Sequence, residues 1–319
     1  MTDDITVFTG SAHPQFAEEM CQILGVELSP THITRFSNDC LQVQLRANCR
    51  RRDVYIVQPL VPPVQENLVE LLLMLDAARG ASAAHITAVI PHYSYARSDK
   101  KDAPRISIGG KLVADMLSAA GATRVITMTL HSEQVHGFFN VPVDHLTAVR
   151  VLADHFKEKD LSNTVVVSPD FGYAKVASQF ARLLDLDVAA GSKRRMADDT
   201  VVIDRIVGDV EGKNAIIIDD EIATAGSMIE LMDRLQEERV KNISLACTHG
   251  LFTGKAVERL NARQDITEIV TTSTVPLTPQ RTPDRVEVRS VAPLFAEAVR
   301  RHSTGSSISS LFSDEITYG

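Results

Sequence analysis

The twelve residues 216–227, IIIDDEIATAGS, set an apolar run, two adjacent carboxylates and a small-residue turn in immediate succession. Ile216 to Ile218 read as the end of a buried strand, with Asp219 and Asp220 where the chain leaves the sheet. Ala223, Thr224, Ala225, Gly226 and Ser227 are small enough to let the backbone approach a ligand closely. The helical spacing of Met228, Leu231, Met232 and Leu235 follows at once. Strand, acidic pair, small turn and helix in that order describe an anion site at a helix N-terminus with carboxylates beside it.

Other polar residues also follow apolar runs. VVVSPDFG puts Asp170 after a run of valines, where it is either a helix cap or a partner of a metal-bound phosphate. SKRRM supplies Lys193, Arg194 and Arg195 on what reads as a short connection between strands. Such cations could clamp a transferring phosphoryl group, the plainer alternative being a solvated charge run. TLHSEQ places His131 after a strand, as a structural histidine or as a metal or phosphate contact. VIPHYSYARSDKKDAPR gathers Tyr95, Arg97, Lys100, Lys101 and Arg105 in a connection too long for a tight turn. Arginine and tyrosine there could hold phosphates and stack a base, or simply solvate the loop. GLFTGKA is a false P-loop: its glycines stand too close together, and Ala256 replaces the hydroxyl that would meet a cation.

These positions need strands to carry them, and strand-like and helix-like patterns alternate almost throughout. ITVFTG, DVYIVQP, HITAVIP and RVITMTL read as strands in the first half, with Leu68, Leu71, Leu72 and Leu75 at helical spacing between them. TVVVSPD, DVAAG, TVVIDRIVG, NAIIIDD, NISLACTHG and TEIVTTSTV continue the series in the second. The βαβα order predicts an α/β fold of mainly parallel sheets flanked by helices, with ligands at the carboxyl ends of strands. The 319 residues suffice for two domains, expected as 1–145 and 146–319, the C-terminal helix packing back on the first. A net charge of -8 argues against nucleic acid. Four scattered cysteines, no basic leader and no membrane-length apolar stretch predict a cytoplasmic protein with reduced thiols.

The opening stretch resembles the PRPP-binding motif shared by type I phosphoribosyltransferases and ribose-phosphate pyrophosphokinases (PRPP synthetases). VQENLVELLLMLDAARGASAAHITAVIPHYSYARSDKK, LHSEQVHGFF, VVVSPDFG and SKRRM narrow the resemblance to the synthetases, and with SISSLF it covers nearly the whole chain. The resemblance implies two similar phosphoribosyltransferase-like domains with the active site between them, in a dimer-based, commonly hexameric homo-oligomer. It implies transfer of a diphosphoryl group from ATP to ribose 5-phosphate, with Mg²⁺. Lys193 and Arg195 match the family's catalytic Lys-x-Arg. Asp219 and Asp220 would hold the ribose diol, and Ala223 to Ser227 the 5-phosphate. His131 and Asp170 match metal-associated positions, and Arg97, Ser98 and Asp99 belong to the nucleotide side.

The departures fall on that nucleotide side. The family's Phe-Ser-Asp-Gly-Glu reads here as Phe36, Ser37, Asn38, Asp39 and Cys40, and Ser98 stands where glutamine is usual. Thr129, Asn140 and Ala223 replace further aspartates. The ribose-phosphate half is nearly intact, while the base-reading half has lost acceptors, which leaves the preferred donor open. A non-catalytic regulatory subunit and a phosphoribosyltransferase are the other readings that share parts of this pattern.

Overall fold

The computed structural model describes residues 5–195 and 201–311, by backbone alone at 193–195, 201–202 and 310. It divides into two compact units. Of the described residues, the first holds those up to Thr147, with Thr274–Pro276 and those from Val291 onward; the second holds those within Ala148–Ser273 and Leu277–Ser290.

The first unit opens with β1 (Ile5–Thr9), α1 (Pro14–Leu24), β2 (Leu28–Ser29), β3 (Thr31–Arg35) and β4 (Leu41–Leu45). Next come β5 (Asp53–Val57), α2 (Val64–Gly80), β6 (His85–Ile90), α3 (Gly109–Ala120), β7 (Arg124–Met128) and β8 (Val143–Leu146). Its sheet has the order β2-β1-β5-β6-β7-β8, parallel throughout. Strands buried on both faces need near-continuous apolar runs, which Val54 to Val57 supply, as do Ile86 to Ile90 with Thr87 the one polar residue. The β3–β4 pair forms a separate antiparallel hairpin. The sequence reading missed it, although Leu41, Val43 and Leu45 alternate with Gln42 and Gln44.

The second unit runs through α4 (Val149–Lys157), β9 (Thr164–Ser168), α5 (Ala174–Leu184), β10 (Asp187–Arg195), β11 (Val201–Val207) and β12 (Asn214–Ile222). It continues with α6 (Gly226–Glu237), β13 (Ile243–Gly250), α7 (Ala256–Asn261), β14 (Ile266–Thr272) and β15 (Val286–Arg289). The strand order is β11-β10-β9-β12-β13-β14-β15, with only β11 antiparallel to its neighbour. Alternation along the central strands splits the core between two faces. Val165, Val167 and Ile217 meet Leu231, Met232 and Leu235 of α6. Val166, Ile216 and Ile218 meet Phe156 of α4 and Phe180 of α5. His155 ties α4 to β14 and β15, its ring nitrogens 2.8 Å from Glu268 and 3.3 Å from Glu287. Lys159 and Arg289 pair with the same carboxylates, so the cluster is a charge-compensated clamp. The last helix, α8 (Ala292–Thr304), packs on α1 within the first unit through an edge-to-face Phe16–Phe295 contact at 5.3 Å. No helix among the described residues is long and apolar enough to cross a membrane.

Both sheets reverse direction at one point. In the first, β1 leads through α1 to β2 on one side while β5 lies on the other, which opens a crevice beyond the carboxyl ends of β1 and β5. Here the protein fills that crevice itself. Glu70 of α2 is buried and accepts the Ser11 N–H at 2.5 Å, the Ser11 hydroxyl at 2.8 Å and the Gln58 amide at 2.8 Å. Gln58 in turn accepts the Ala12 N–H at 3.1 Å. Gly10 is required by this filling, because a Cβ there would lie 2.5 Å from both Gln58 Oε1 and Glu70 Oε1. Replacing Glu70 by Ala leaves the buried Gln58 amide and the Ser11 donors without this acceptor and is expected to destabilise the protein by about 1–3 kcal/mol, read from the urea midpoint. Glu70→Gln, which keeps an acceptor oxygen, is expected to lose less.

Candidate active site

The second sheet reverses between β9 and β12, and its crevice stays open to polar side chains. β9 and β12 pair only as far as Val167 and Ile217. β12 runs on against β13, with Asp219 opposite Cys247, Glu221 opposite His249 and Ile222 opposite Gly250. The acidic pair therefore lies inside the strand, and the expectation that the strand ends at Ile218 is corrected. The physical reason is the long partner: β13 supplies backbone hydrogen bonds on one side after β9 has turned away on the other.

That placement buries Asp220 and half-buries Asp219. Asp219 Oδ1 accepts the Asp220 N–H at 2.9 Å, and Asp220 is 7% exposed. Burial, and then the charge of Asp220, push the Asp219 carboxyl well above the usual carboxylate range. Asp170 adds to the same field. The Tyr173 phenol is raised by burial and then by Asp220 and Asp219, and the Cys247 thiol is pushed up to about 12, chiefly by burial. Tyr173 and Cys247 are thus neutral walls of the pair. Neither stood out in the sequence, because only strand register puts Cys247 beside Asp219.

The turn that follows is held by its carbonyls. Ile222 O accepts from the N–H groups of Leu251 and Phe252, both at 3.1 Å, and Ala223 O from Thr253 at 2.8 Å. Thr224 O accepts from Arg259 Nη1 at 2.7 Å, and Ala225 O from Ile229 at 3.0 Å. In a planar trans peptide the next N–H points opposite the carbonyl. With these four carbonyls occupied, the N–H groups of Ala223, Thr224, Ala225 and Gly226 point away from those partners, at the N-terminus of α6. Ala225 takes a left-handed conformation, φ +58°, to make the turn. Thr224, Gly226 and Ser227 are exposed there. The result is a cradle for an anion, with acceptors from Asp219 and Asp220 beside it.

Asp170 follows β9 at the same edge. Its Oδ1 accepts the Tyr173 N–H at 3.1 Å, so it does serve the start of α5, while its charge reaches Asp219. Lys193 and Arg195 lie in β10, not on a connection as expected, because β11 pairs with them: Lys193 opposite Ile203 and Arg195 opposite Val201. Their side chains lie outside the described structure. β10 still runs past the end of β9, since its pairing with β9 stops at Ala190 and Ser168. Asp170, Asp219, Asp220 and the backbone of Lys193 and Arg195 thus share the carboxyl edge of three adjacent strands.

The remaining candidates belong to the first unit. Arg97 and His131 are exposed on segments leaving β6 and β7, which are neighbours in the sheet. The His131 segment is held by His145, whose Nε2 accepts the Leu130 N–H at 2.8 Å. Ser98 Oγ accepts the Gly109 N–H at 2.9 Å and so fixes the start of α3; Asp99 is half-buried beside it. Phe36, Asn38 and Cys40 are exposed at the tip of the β3–β4 hairpin, away from that sheet. Asn38 Oδ1 accepts the Cys40 N–H at 3.3 Å, and Asp39 reaches φ +70° while pairing with Arg35 at 2.6 Å.

Comparison with known proteins agrees with this layout. Residues 5–121 match the model for the N-terminal domain of ribose phosphate pyrophosphokinase, and residues 202–313 match the phosphoribosyl synthetase-associated domain. A Streptomyces coelicolor relative is 62% identical over 97% of this chain and 98% of its own. The ribose-phosphate pyrophosphokinase of Deinococcus radiodurans is 49% identical over 97% of this chain and 98% of its own. The crystal structure of phosphoribosylpyrophosphate synthetase from Mycobacterium smegmatis superposes with a TM-score of 0.89 at 35% identity, covering 95% of this chain and 100% of that one.

Two titrations test the geometry. A folded-state carboxyl raised above its unfolded value keeps a proton that the unfolded chain loses, so its contribution to stability falls as pH rises. Asp219→Asn is therefore expected to raise the melting temperature over the parent protein, by a margin that widens from pH 4 to pH 8. His145 has the opposite sign. Burial pushes its imidazole down to about 4 from 6.5, so below 6.5 the unfolded chain takes up a proton that the folded one refuses. This group alone lowers stability by about 1.4 kcal/mol per pH unit across that window. Urea midpoints of His145→Gln are expected to lack that slope.

Proposed function

The chain belongs to the ribose-phosphate pyrophosphokinase family, and from that membership we propose how its own residues carry the reaction. It is a diphosphotransferase: O1 of ribose 5-phosphate attacks the β-phosphorus of ATP. The O1–phosphorus bond forms, the bridge to the α-phosphorus breaks, and PRPP and AMP leave. The occupied carbonyls of residues 222–225 carry the reading, because they leave the opposite N–H groups of the turn to a phosphate beside two carboxylates.

On this reading the N–H groups of Ala223 to Ser227, with the Thr224 and Ser227 hydroxyls, bind the 5-phosphate. Asp219 and Asp220 accept hydrogen bonds from the 2- and 3-hydroxyls and so aim O1. Lys193 and Arg195 neutralise the charge of the moving diphosphoryl group. The catalytic gain comes from positioning and electrostatics, with no covalent intermediate. Asp170, Asp219 and Asp220 are hard oxygen donors, the first and last close enough to act on the Asp219 carboxyl, a set that suits Mg²⁺ shared with substrate phosphates. Asp170 is the metal-ligand candidate of the second unit and His131 that of the first; the ion, when bound, would neutralise phosphate charge. Phe36, Asn38, Cys40, Arg97, Ser98 and Asp99 form the nucleotide side. The same reading gives a cytoplasmic, dimer-based homo-oligomer with no nucleic-acid or membrane partner, in keeping with a net charge of -8.

The test is PRPP formation, followed by ³¹P NMR, from ribose 5-phosphate, Mg²⁺ and a panel of triphosphates. Turnover by the purified chain alone is expected; its absence with every donor would leave a non-catalytic subunit. Lys193→Ala is expected to lower kcat by about 10²–10³-fold. No carboxylate stands at positions 38 and 40 to select the adenine amino group. GTP and ITP are therefore expected within about tenfold of ATP in kcat/KM.

A further inference from the structure

Two aromatic residues follow Asp170 on either side of Gly172, and their surroundings differ. Tyr173 packs against the core cluster containing Phe156, Phe180 and Ile218. Phe171 is 59% exposed, the highest value among the exposed large apolar residues described. A single exposed apolar residue is ordinary on a protein surface, but this one is held in place at the crevice. The Ser168 hydroxyl donates to Asp170 O at 2.7 Å, and the Tyr173 N–H to Asp170 Oδ1 at 3.1 Å. The Ala174 N–H donates to Phe171 O at 3.4 Å. Gly172 lets the turn close, since a Cβ there would meet Asp170 Oδ1 at 3.1 Å. On the far side, β10 comes so close that a Cβ on Gly191 would lie 2.7 Å from Pro169 O.

A turn pinned at several points therefore holds a phenyl ring in water at the end of β9. The acidic pair lies on the strand to one side, and the backbone of Lys193 and Arg195 on the strand to the other. A ligand reaching both polar sets passes over the β9 end. We propose that the Phe171 ring is a wall of the substrate site, lying against the apolar face of a substrate ring and setting substrate affinity. The ring is either the C–H face of the pentose or the nucleobase of the donor; both offer a flat apolar surface to an aromatic side chain. This inference rests on the diphosphotransferase reading above.

The sequence contains no tryptophan, so Phe171→Trp creates a single fluorescent reporter. Its emission is expected to shift or quench on adding ribose 5-phosphate, if the pentose is the partner. If the base is, the response comes with a non-hydrolysable triphosphate. No response to either, alone or together, overturns the proposal whether or not the protein makes PRPP. Catalysis supplies a second readout. Phe171→Ala is expected to raise KM for the substrate that moves the tryptophan by about fivefold, with kcat nearly unchanged, and Phe171→Tyr to restore it. Unchanged KM for both substrates, or a loss confined to kcat, overturns it. Melting temperatures at the parental value confirm that these exposed-site variants fold. PRPP formation by the parent protein reports separately on the diphosphotransferase reading.

Discussion

Everything at this site depends on one strand outrunning its neighbour. β12 keeps its hydrogen bonds to β13 as far as Ile222, while β9 turns away after Ser168. Two consequences follow from that difference in length. The backbone of Asp219 and Asp220 is satisfied on one side, so the segment stays rigid and extended. The other side is free of a strand, so the carboxylates can face a ligand. Had β9 continued, its backbone would have closed the crevice; had β12 stopped at Ile218, the acidic pair would sit on a loop without fixed geometry. The buried pair is unfavourable in isolation, because two adjacent carboxylates share a place poor in water. On the proposed function, a polyol that donates hydrogen bonds to them would relieve that condition.

The two units show what happens to the same crevice with and without a ligand to receive. In the first, the segment after β1 and the side chain of Gln58 turn their donors toward Glu70, which supplies the anion from within. In the second, the carbonyls of residues 222–225 are all taken by the protein, and the opposite N–H face is left to a visitor. The first arrangement stabilises the fold. The second keeps strain, in the left-handed Ala225, and two crowded carboxyl groups, in the acidic pair, at the position where the proposed ligand would meet them. Similar topology therefore yields one structural crevice and one chemical one.

Much of this was legible in the sequence, for identifiable reasons. Apolar runs followed by polar turns located the strand ends, and in a parallel sheet strand ends are where ligands bind. That is why Asp170, Asp219 and Asp220 could be picked out before any geometry was known. The resemblance to the synthetases added the roles. The illegible part depended on register and on long-range contacts. Cys247 is a wall because it lies opposite Asp219, and Arg259 anchors the turn from a helix 35 residues away. Glu70 looked like one more helix carboxylate, although its burial against Ser11 and Gln58 decides the shape of the first unit's crevice. The β3–β4 hairpin was missed because a short alternating strand beside polar turns gives little signal against the longer buried runs.

The run Lys193, Arg194, Arg195 shows how the strand changes the meaning of a spacing. On a connection, three adjacent cations would be near-equivalents, each free to point where the charge pulled it. Within β10, facing reverses at every residue, so positions 193 and 195 share one face of the strand and position 194 takes the other. The Lys-x-Arg spacing then selects a pair, which a loop could not do. The register shift between Ser192 and Lys193 skips Asp204, so the extra residue lies in the partner strand β11, which bends beside the cations while β10 stays extended. It falls immediately before the cations, beyond the last residue that pairs with β9. The antiparallel partner β11 thus does for the cations what β13 does for the acidic pair: it keeps a strand extended past the edge of the parallel sheet. Acidic and basic residues are thereby set on extended backbone to either side of the β9 end, the layout that the proposed reaction, run on positioning and charge neutralisation, would require.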